Sequence, residues 1–299
     1  MKQSYYYSLD KETRKTFRNQ RAIKKRKLRQ NVSLVVAIIL AAITIFPLLF
    51  LLINSFKSQG EIVDTPMALP KRLDFSNIIE AIKEINLVRG FSNTLLITMV
   101  AVTVIVLVSS FAAWMMVRCK TKIAHYMFYL FAMAMLIPFQ SVMYPLIKFM
   151  DSIGLKNFNG LIVMYIGFGL SLSISLYHGF IKSVPASLEE AAVIDGANVF
   201  QLFFNVVFPM VKPTTVTVII LNAMWIWNDY LLPFLVIGTQ EEKRTITLEL
   251  YFAKLASGYG NSWNFIFPSV LVAILPIVIL FLILQKHIMA GVGEGAVKG

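Results

Sequence analysis

The acidic residues that best fit a chemical role lie in one connection of the chain, at residues 182–213. Three carboxylates occur there within seven residues: Glu189, Glu190 and Asp195. An exposed carboxylate can accept a charge-assisted hydrogen bond from a basic residue of another protein. The small Ala191 and Ala192 beside Glu190 leave room for such a partner to approach. The pattern predicts a surface that offers acceptors to a second protein.

The residues around these acids predict two short helices joined by a sharp turn. Ser187 and Glu190 have the spacing of a capping box, which predicts that the first helix begins here. Gly196 permits the change of direction that follows it. Apolar residues at helical spacing then form one face of a second helix: Phe200, Phe203, Phe204, Val207 and Phe208. Pro209 and Pro213 are expected to end that helix and lead into the next segment.

The elements that carry this connection are predicted to be membrane-spanning helices. Hydrophobic residues make up 57% of the 299 residues and charged residues only 15%, a balance shifted toward a lipid-facing protein. A helix needs roughly 20 mainly apolar residues to cross the hydrocarbon core. Six segments qualify: 32–53, 94–116, 124–147, 161–181, 214–237 and 265–285. The predicted fold class is therefore an all-α integral membrane protein with six transmembrane helices.

The positive charge is concentrated at the start of the chain. The formal net charge is +12, and residues 1–30 contain eleven Lys or Arg against two acids. Basic residues favour the cytoplasmic side, which predicts that the tails at 1–31 and 286–299 are cytoplasmic and that 182–213 lies on the same side. With that orientation eighteen basic residues are inside and ten outside, although the balance depends on the first tail. A basic tail before an apolar helix indicates contact with lipid headgroups rather than with nucleic acid.

Several kinds of chemistry lack the residues they need. The chain has one cysteine and three dispersed histidines, so no cluster has the spacing of a metal site. The sequence also lacks any Gly-Lys dipeptide, and therefore the phosphate-binding loop that ATP hydrolysis would require. We expect no enzyme activity and no cofactor bound by this chain.

The connection also carries a family resemblance. Glu190-Ala191-Ala192, then Gly196, then Phe208-Pro209 resembles the EAA motif of bacterial ABC importer permeases, although Val206 and Phe208 replace the Ile and Leu of that pattern. Asp195 and Pro213 extend the likeness to the MalG-like subunits of the carbohydrate branch. Further matches cover most of the chain after residue 40, among them 54–57, 112–118, 227–233 and 291–299.

The resemblance implies a fold, partners and a mechanism. The fold would be that of type I ABC importer permeases in a bacterial or archaeal cytoplasmic membrane. The connection would be a coupling helix docked on a cytoplasmic ATPase dimer, which would hold the ATP and Mg. A second, MalF-like permease subunit would complete the pathway, and an extracytoplasmic sugar-binding protein would deliver the substrate. By analogy with the family, that substrate would be an oligosaccharide. The ATPase contacts would fall on these residues: Glu190, Ala191, Ala192, Asp195, Gly196 and Pro209.

Polar and aromatic residues inside the crossings are candidates for the pathway or its gate. Asp229 is the one formal charge well inside a predicted crossing, and an intramembrane acid is a functional candidate because its burial is costly. Trp227 and Asn228 precede it and, with Trp225, suit the apolar faces and hydroxyl rims of sugars. The alternative is an aromatic belt at the membrane interface, with Asn228 and Asp229 capping the helix before Pro233.

Gln140 and Tyr144 are the second group of pathway candidates. They lie beside prolines in the third predicted crossing. Hydrogen bonds between helices are an equally good explanation for such residues.

Three other functions remain open from the sequence. An ion-driven secondary transporter would need more intramembrane carboxylates than Asp229. An enzyme of lipid-linked substrates would need His, Cys or a basic cluster beside the acids of the connection. A permease for a polyol or glycerol phosphate would look much the same as one for a sugar.

Overall fold

The computed structural model describes residues 11–238, 240–256 and 262–296, and within these residues every regular element is a helix. We number the α-helices in chain order: α1 Lys11–Asn54, α2 Gln59–Asp64, α3 Ser76–Glu84, α4 Leu87–Arg118, α5 Lys122–Ala134, α6 Phe139–Ser152, α7 Phe158–Ile181, α8 Ser187–Ile194, α9 Val199–Leu202, α10 Phe208–Met210, α11 Lys212–Asn228, α12 Leu231–Val236, α13 Ile246–Ala256 and α14 Trp263–Ala296. A π-helical turn, Phe203–Val207, joins α9 to α10, and a 3₁₀ turn, Glu241–Lys243, precedes α13.

Four of the described helices are long and apolar enough to cross a bilayer. These are α4, α7 and the apolar parts of α1 and α14. The number of candidate spans rises to six if each of two bent helix pairs counts as one span. The first helix differs from the predicted tail and span, because it runs without a break from Lys11. The last predicted crossing extends to residue 285, beyond the last residue whose side chain the structure describes, 283.

The third predicted crossing, 124–147, is not one straight helix. It is divided between α5 and α6, which are bent by 105° across residues 135–138. Pro138 occupies the N-cap of α6 with extended backbone. A proline has no N–H to continue the preceding helix, and it disfavours helical backbone in the residue before it. The bend therefore follows from Pro138, whose effect on the backbone a hydropathy pattern does not include.

The fifth predicted crossing, 214–237, is also interrupted. Helix α11 ends at Asn228, and the extended backbone of Asp229 separates it from the short α12. At its other end, α11 is bent by 77° from the helical stretch 199–210. The direction of the chain thus changes before α11, and the helix is interrupted after it.

The core centres on the contact between α4 and α7, the most extensive between any two described helices. Buried residues of α4 recur at helical spacing, with Ile97, Ala101 and Ile105 on one face. Helix α7 contributes Tyr165 and Tyr177, which are fully buried. A bilayer offers no hydrogen-bond partners, so polar side chains bond back to their own helix, as Thr94 does to the Gly90 carbonyl oxygen at 2.8 Å.

A polar cluster joins the start of α4 to α13 and to the segment before it. Arg89 donates to Glu249 at 2.9 Å and to Glu241 at 3.1 Å. Asn93 donates to the backbone oxygens of Glu242 and Arg244. Burial raises the pKa of the Glu249 carboxyl, and the neighbouring Arg89 guanidinium acts in the opposite direction. The cluster fixes the end of the bundle that is farthest along α4 from Arg118.

Candidate functional site

The predicted coupling segment begins with α8, which starts at Ser187 as expected but without the expected cap. The N-cap is Ala186, and no side chain caps the helix. The capping box is in the second helix instead. There the Asn198 side chain accepts from the Gln201 N–H at 2.9 Å, and the Gln201 side chain accepts from the Asn198 N–H at 2.9 Å. The Ser187–Glu190 prediction identified the helix start but assigned the cap to the wrong residues.

Gly196 forms the turn between the two helices. Its φ is +86°, in the left-handed region that favours glycine. The Gly196 N–H donates to the Val193 oxygen and the Ala197 N–H to the Ala192 oxygen, both at 3.0 Å. These two bonds form a Schellman motif, which satisfies the last carbonyls of α8. A Cβ on Gly196 would meet nothing within 4 Å, so the backbone angle alone explains the glycine.

One side of α8 is open to solvent. Glu190, Ala191, Asp195 and Gly196 are exposed, whereas Ala192 packs against the core. Apolar side chains share the exposed surface, and Ile194 is 85% exposed. The surface thus combines carboxylates, which can accept charge-assisted hydrogen bonds from a basic partner, with exposed apolar side chains of the kind found at protein contacts.

Glu189 is not part of that exposed surface, and its predicted availability to a partner is wrong. The residue is only 6% exposed. One carboxylate oxygen accepts from the Trp114 indole N–H at 2.9 Å, and the other accepts from Arg118 through Nε at 2.9 Å and Nη2 at 2.6 Å. Arg118 also donates to the Val184 carbonyl oxygen. Glu189 therefore ties α8 to the end of α4, and both partners lie about seventy residues earlier.

Aromatic packing makes a second connection to α4. Phe203 is buried, with its ring centroid 5.0 Å from that of Phe111 and 5.6 Å from that of Trp114. Phe203 begins the π-helical turn, in which the Phe208 N–H donates to the Phe203 oxygen five residues earlier. Such turns often occur at functional positions in helices.

Pro209 does not end the second helix as predicted. It is exposed within the helical stretch 199–210, and the chain changes direction only at Val211. Pro209 lies in the first positions of α10. That position directly follows the π-helical turn, and a proline is tolerated in the first positions of a helix.

Asp229 accepts hydrogen bonds from its own chain. The Tyr165 hydroxyl donates to one carboxylate oxygen at 2.9 Å, and the Leu231 N–H donates to the other at 3.0 Å. The residue is the C-cap of α11, in line with the capping alternative. The neighbouring Asn228 is exposed, and its amide donates to the Met224 oxygen at 2.7 Å.

The structure separates the other predicted pathway residues. Trp227 is 5% exposed, donates to the Ala273 oxygen at 3.3 Å and packs edge-on against Phe91. These contacts do not support a place for Trp227 in the pathway. Gln140 and Tyr144 are exposed on α6, and among the described hydrogen bonds none links either residue to Asp229.

A cavity of about 650 Å³ lies between α6, α7 and α11. Its walls are mainly apolar, with Trp225 and Phe168 among them, and Ser171 and Asn222 supply polar groups. Trp225 stands edge-on to Tyr165, with the ring centroids 5.4 Å apart. Sequence reasoning missed Asn222, for which the available signal was an uncharged polar residue within an apolar span.

Comparisons with known proteins agree with this architecture. Residues 105–293 match the family described as binding-protein-dependent transport system inner membrane component. A probable starch degradation products transport system permease protein of Thermoanaerobacterium thermosulfurigenes is 41% identical, over 87% of this chain and 94% of that protein. A multiple sugar-binding transport system permease protein of Streptococcus mutans is 35% identical, over 85% of this chain and 92% of that protein.

A solved structure supports the fold. It is the crystal structure of a bacterial ABC transporter involved in the import of the acidic polysaccharide alginate, and the TM-score is 0.74. The match covers 88% of this chain and 97% of that chain at 23% identity. The fold is therefore that of type I ABC importer permeases, with several membrane-spanning helices. The relatives above are permeases of sugar transport systems. With the family match, the chain belongs to the family of binding-protein-dependent transport system inner membrane components, and within it is similar to the permease subunits of sugar ABC importers.

Proposed function

We propose that the chain carries an oligosaccharide inward across the cytoplasmic membrane and that a separate ATPase supplies the energy. The substrate class is supported by the printed names of relatives, which include starch degradation products and, in Bacillus subtilis, melibiose, raffinose and stachyose. ATP and Mg would be bound by the ATPase subunits, and this chain would bind neither. Family membership favours this function over the ion-driven carrier and the membrane enzyme.

The observation that carries the proposal is the two-sided environment of α8. One side exposes Glu190, Ala191 and Asp195, and the other is bonded to α4 through Glu189. A docking protein that moves α8 would therefore move the end of a core helix with it. Coupling between distant sites needs a continuous set of packed or bonded groups of this kind.

The charges and small residues of the exposed surface of α8 support the proposed ATPase contact. Glu190 and Asp195 would accept hydrogen bonds from basic residues of the ATPase. Ala191 and Gly196 carry little or no side chain and would allow the partner's backbone to come close. The exposed Ile194 would supply apolar contact. Ala192 and Pro209 would shape the surface from its edges.

The proposed pathway for the sugar runs through the cavity between α6, α7 and α11. Trp225 offers an aromatic face for a sugar ring, and Asn222 offers a polar group. Asn228 and Asp229 stand at the break after α11 and would belong to a gate, since a break is a point where a helix can change direction. Gln140 and Tyr144 lie on the exposed side of α6, and Tyr144 is 74% exposed. They would face the second permease or the substrate.

The other partners are proposed from the exposed surfaces. A second, MalF-like permease subunit would cover apolar side chains of α5 and α6 and close the pathway between the two chains. The end of the bundle that carries Arg89 and Glu249 would receive the extracytoplasmic sugar-binding protein. The coupling segment and both termini would be cytoplasmic.

The partners can be tested by purification of the complex. We expect gentle detergent extraction of the tagged chain to copurify an ATPase and a second permease, identified by mass spectrometry. Purification of the chain alone as an active, ion-coupled carrier would contradict the proposed function.

The coupling role can be tested at Gly196. Proline fixes φ near about −65° and removes an N–H, so Gly196→Pro is incompatible with the angle of +86° and with the bond to Val193. We expect the variant to insert in the membrane but to lose sugar-stimulated ATPase activity in the reconstituted importer. Gly196→Ala keeps the N–H and serves as the milder control, with a strain of about 1 kcal/mol. Unchanged stimulation in Gly196→Pro would argue against coupling through α8.

A further inference from the structure

A second cavity lies at the end of the bundle that also carries α8. It has a volume of about 480 Å³ and is bounded by the turn between α4 and α5 and by the end of α7. Three lysines line it, Lys120, Lys122 and Lys182, and none of the lining residues is acidic. The coupling proposal makes no use of this cavity.

The lysines carry positive charge that the described part of the chain does not neutralise. All three are exposed, and none forms an ion pair with a described residue. The start of α5, capped by the Thr121 side chain, lies in the same wall. A helix N-terminus adds partial positive charge. The cavity is therefore suited to an anion.

His178 provides a separate indication of a ligand. It is 7% exposed, lines the cavity and stacks on Phe128 with the ring centroids 3.7 Å apart. No described residue hydrogen-bonds to its ring. The ring nitrogens are not among the buried polar atoms that lack a partner, so they are reachable from the cavity that the ring lines. A ring N–H would donate to an oxygen of a bound anion.

The surroundings of the cavity favour a lipid as the source of that anion. Helix α5 leaves the cavity with exposed apolar and aromatic side chains, including Ile123, Tyr126 and Leu130. Aromatic residues of this kind concentrate at the level of the lipid headgroups. Basic pockets between membrane helices on the cytoplasmic side bind anionic headgroups. A free phosphate would not explain the apolar path beside the charges.

We propose that this cavity binds the phosphate headgroup of an anionic phospholipid from the same leaflet as the coupling segment. Lys120, Lys122 and Lys182 hold the phosphate oxygens, His178 hydrogen-bonds to one of them, and the acyl chains lie along α5. The site would hold the inner ends of α4, α5 and α7 in register. It needs no ATPase, so its test is separate from that of the coupling function.

The experiment uses the assembled importer in nanodiscs of phosphatidylcholine that contain a trace of phosphatidylglycerol with a photoreactive headgroup. After illumination, the cross-linked peptides are mapped by mass spectrometry. We expect labels on peptides that contain residues 116–129 and 178–182. Unlabelled phosphatidylglycerol should compete, whereas added phosphatidylcholine and inorganic phosphate should not.

The test variant replaces the three cavity lysines by glutamine: K120Q, K122Q and K182Q. We expect it to lose at least about tenfold of the labelling, and each single substitution to lose part of it. The control removes the same charge from exposed lysines at the opposite end of the bundle: K71Q, K83Q and K156Q. It should keep its labelling within about twofold.

Three results would overturn the proposal. One is equal labelling of the wild-type and triple-variant importers. Another is competition by inorganic phosphate as strong as that by phosphatidylglycerol, which would assign the cavity to free phosphate. The third is labelling of the isolated chain that disappears in the assembled importer, which would assign the surface to a partner protein.

Discussion

At the scale of residues, two adjacent glutamates of α8 have opposite surroundings. Glu189 is buried and accepts hydrogen bonds from Trp114 and Arg118, whereas Glu190 is exposed. The same side chain thus anchors the helix at one position and is free to meet a partner at the next. Glu189 therefore contributes to the stability of the coupling segment, and Glu190 to its proposed contact with the ATPase.

Glu189→Gln and Glu190→Gln make the same change in charge, and we expect different results. Glu189→Gln weakens bonds from a half-buried arginine and should reduce the free energy of unfolding by about 2 kcal/mol. Glu190→Gln should change it by less than about 0.5 kcal/mol but lower sugar-stimulated ATPase activity. Thermal unfolding of the purified complex and ATPase assays measure the two effects. Equal stability of the two variants would contradict the anchoring role of Glu189.

At the scale of elements, the contact between α4 and α7 depends on a close approach at Gly169. A Cβ built there would overlap Ile105 Cδ1 and come within 2.7 Å of Asn222 Oδ1. Three helices, α4, α7 and α11, therefore meet at one glycine. Small residues of this kind let membrane helices pack closely.

Gly169→Ala tests this packing, and Gly167→Ala is the matched control on the same helix. We expect Gly169→Ala to destabilise the chain by about 1–3 kcal/mol, since overpacking forces neighbours from their positions. A Cβ at Gly167 meets nothing within 4 Å, so its variant should be neutral or slightly stabilised. Thermal unfolding in detergent compares them, and a Gly169→Ala midpoint equal to that of Gly167→Ala would exclude close packing at this position.

At the scale of the whole molecule, the two ends of α4 define two faces of the protein. One end carries Arg89 and its bonds to α13 and to the segment before it, and the other carries Arg118 and its bonds to α8. A membrane between these ends places the proposed binding-protein and ATPase contacts on opposite sides. By contrast, α1 packs mainly on α14, for example through Phe50 against Phe267, and leaves most of its apolar surface for lipid or a partner.

The orientation can be measured with cysteine labelling in a Cys119→Ser background, since the chain has a single cysteine. Lys83 and Lys212 are exposed at the opposite ends. We expect an impermeant maleimide to label Lys83→Cys in intact cells and Lys212→Cys only after permeabilisation. The reverse pattern would contradict the cytoplasmic position of α8, and the unlabelled Cys119→Ser parent controls for reaction at other sites.

The sequence by itself determined the membrane class, the long apolar helices and the helix–turn–helix with Gly196 at its bend. These features depend on local properties, namely apolar length and backbone angle, which are written in consecutive residues. Only the tertiary structure decided that Glu189 is buried, because Arg118 and Trp114 come from a distant helix. It also decided that Trp227 packs between helices and that Trp225 lines the cavity. Two residues that are two positions apart on a helix point in different directions. The packing of the whole bundle decides which of them meets a neighbouring helix.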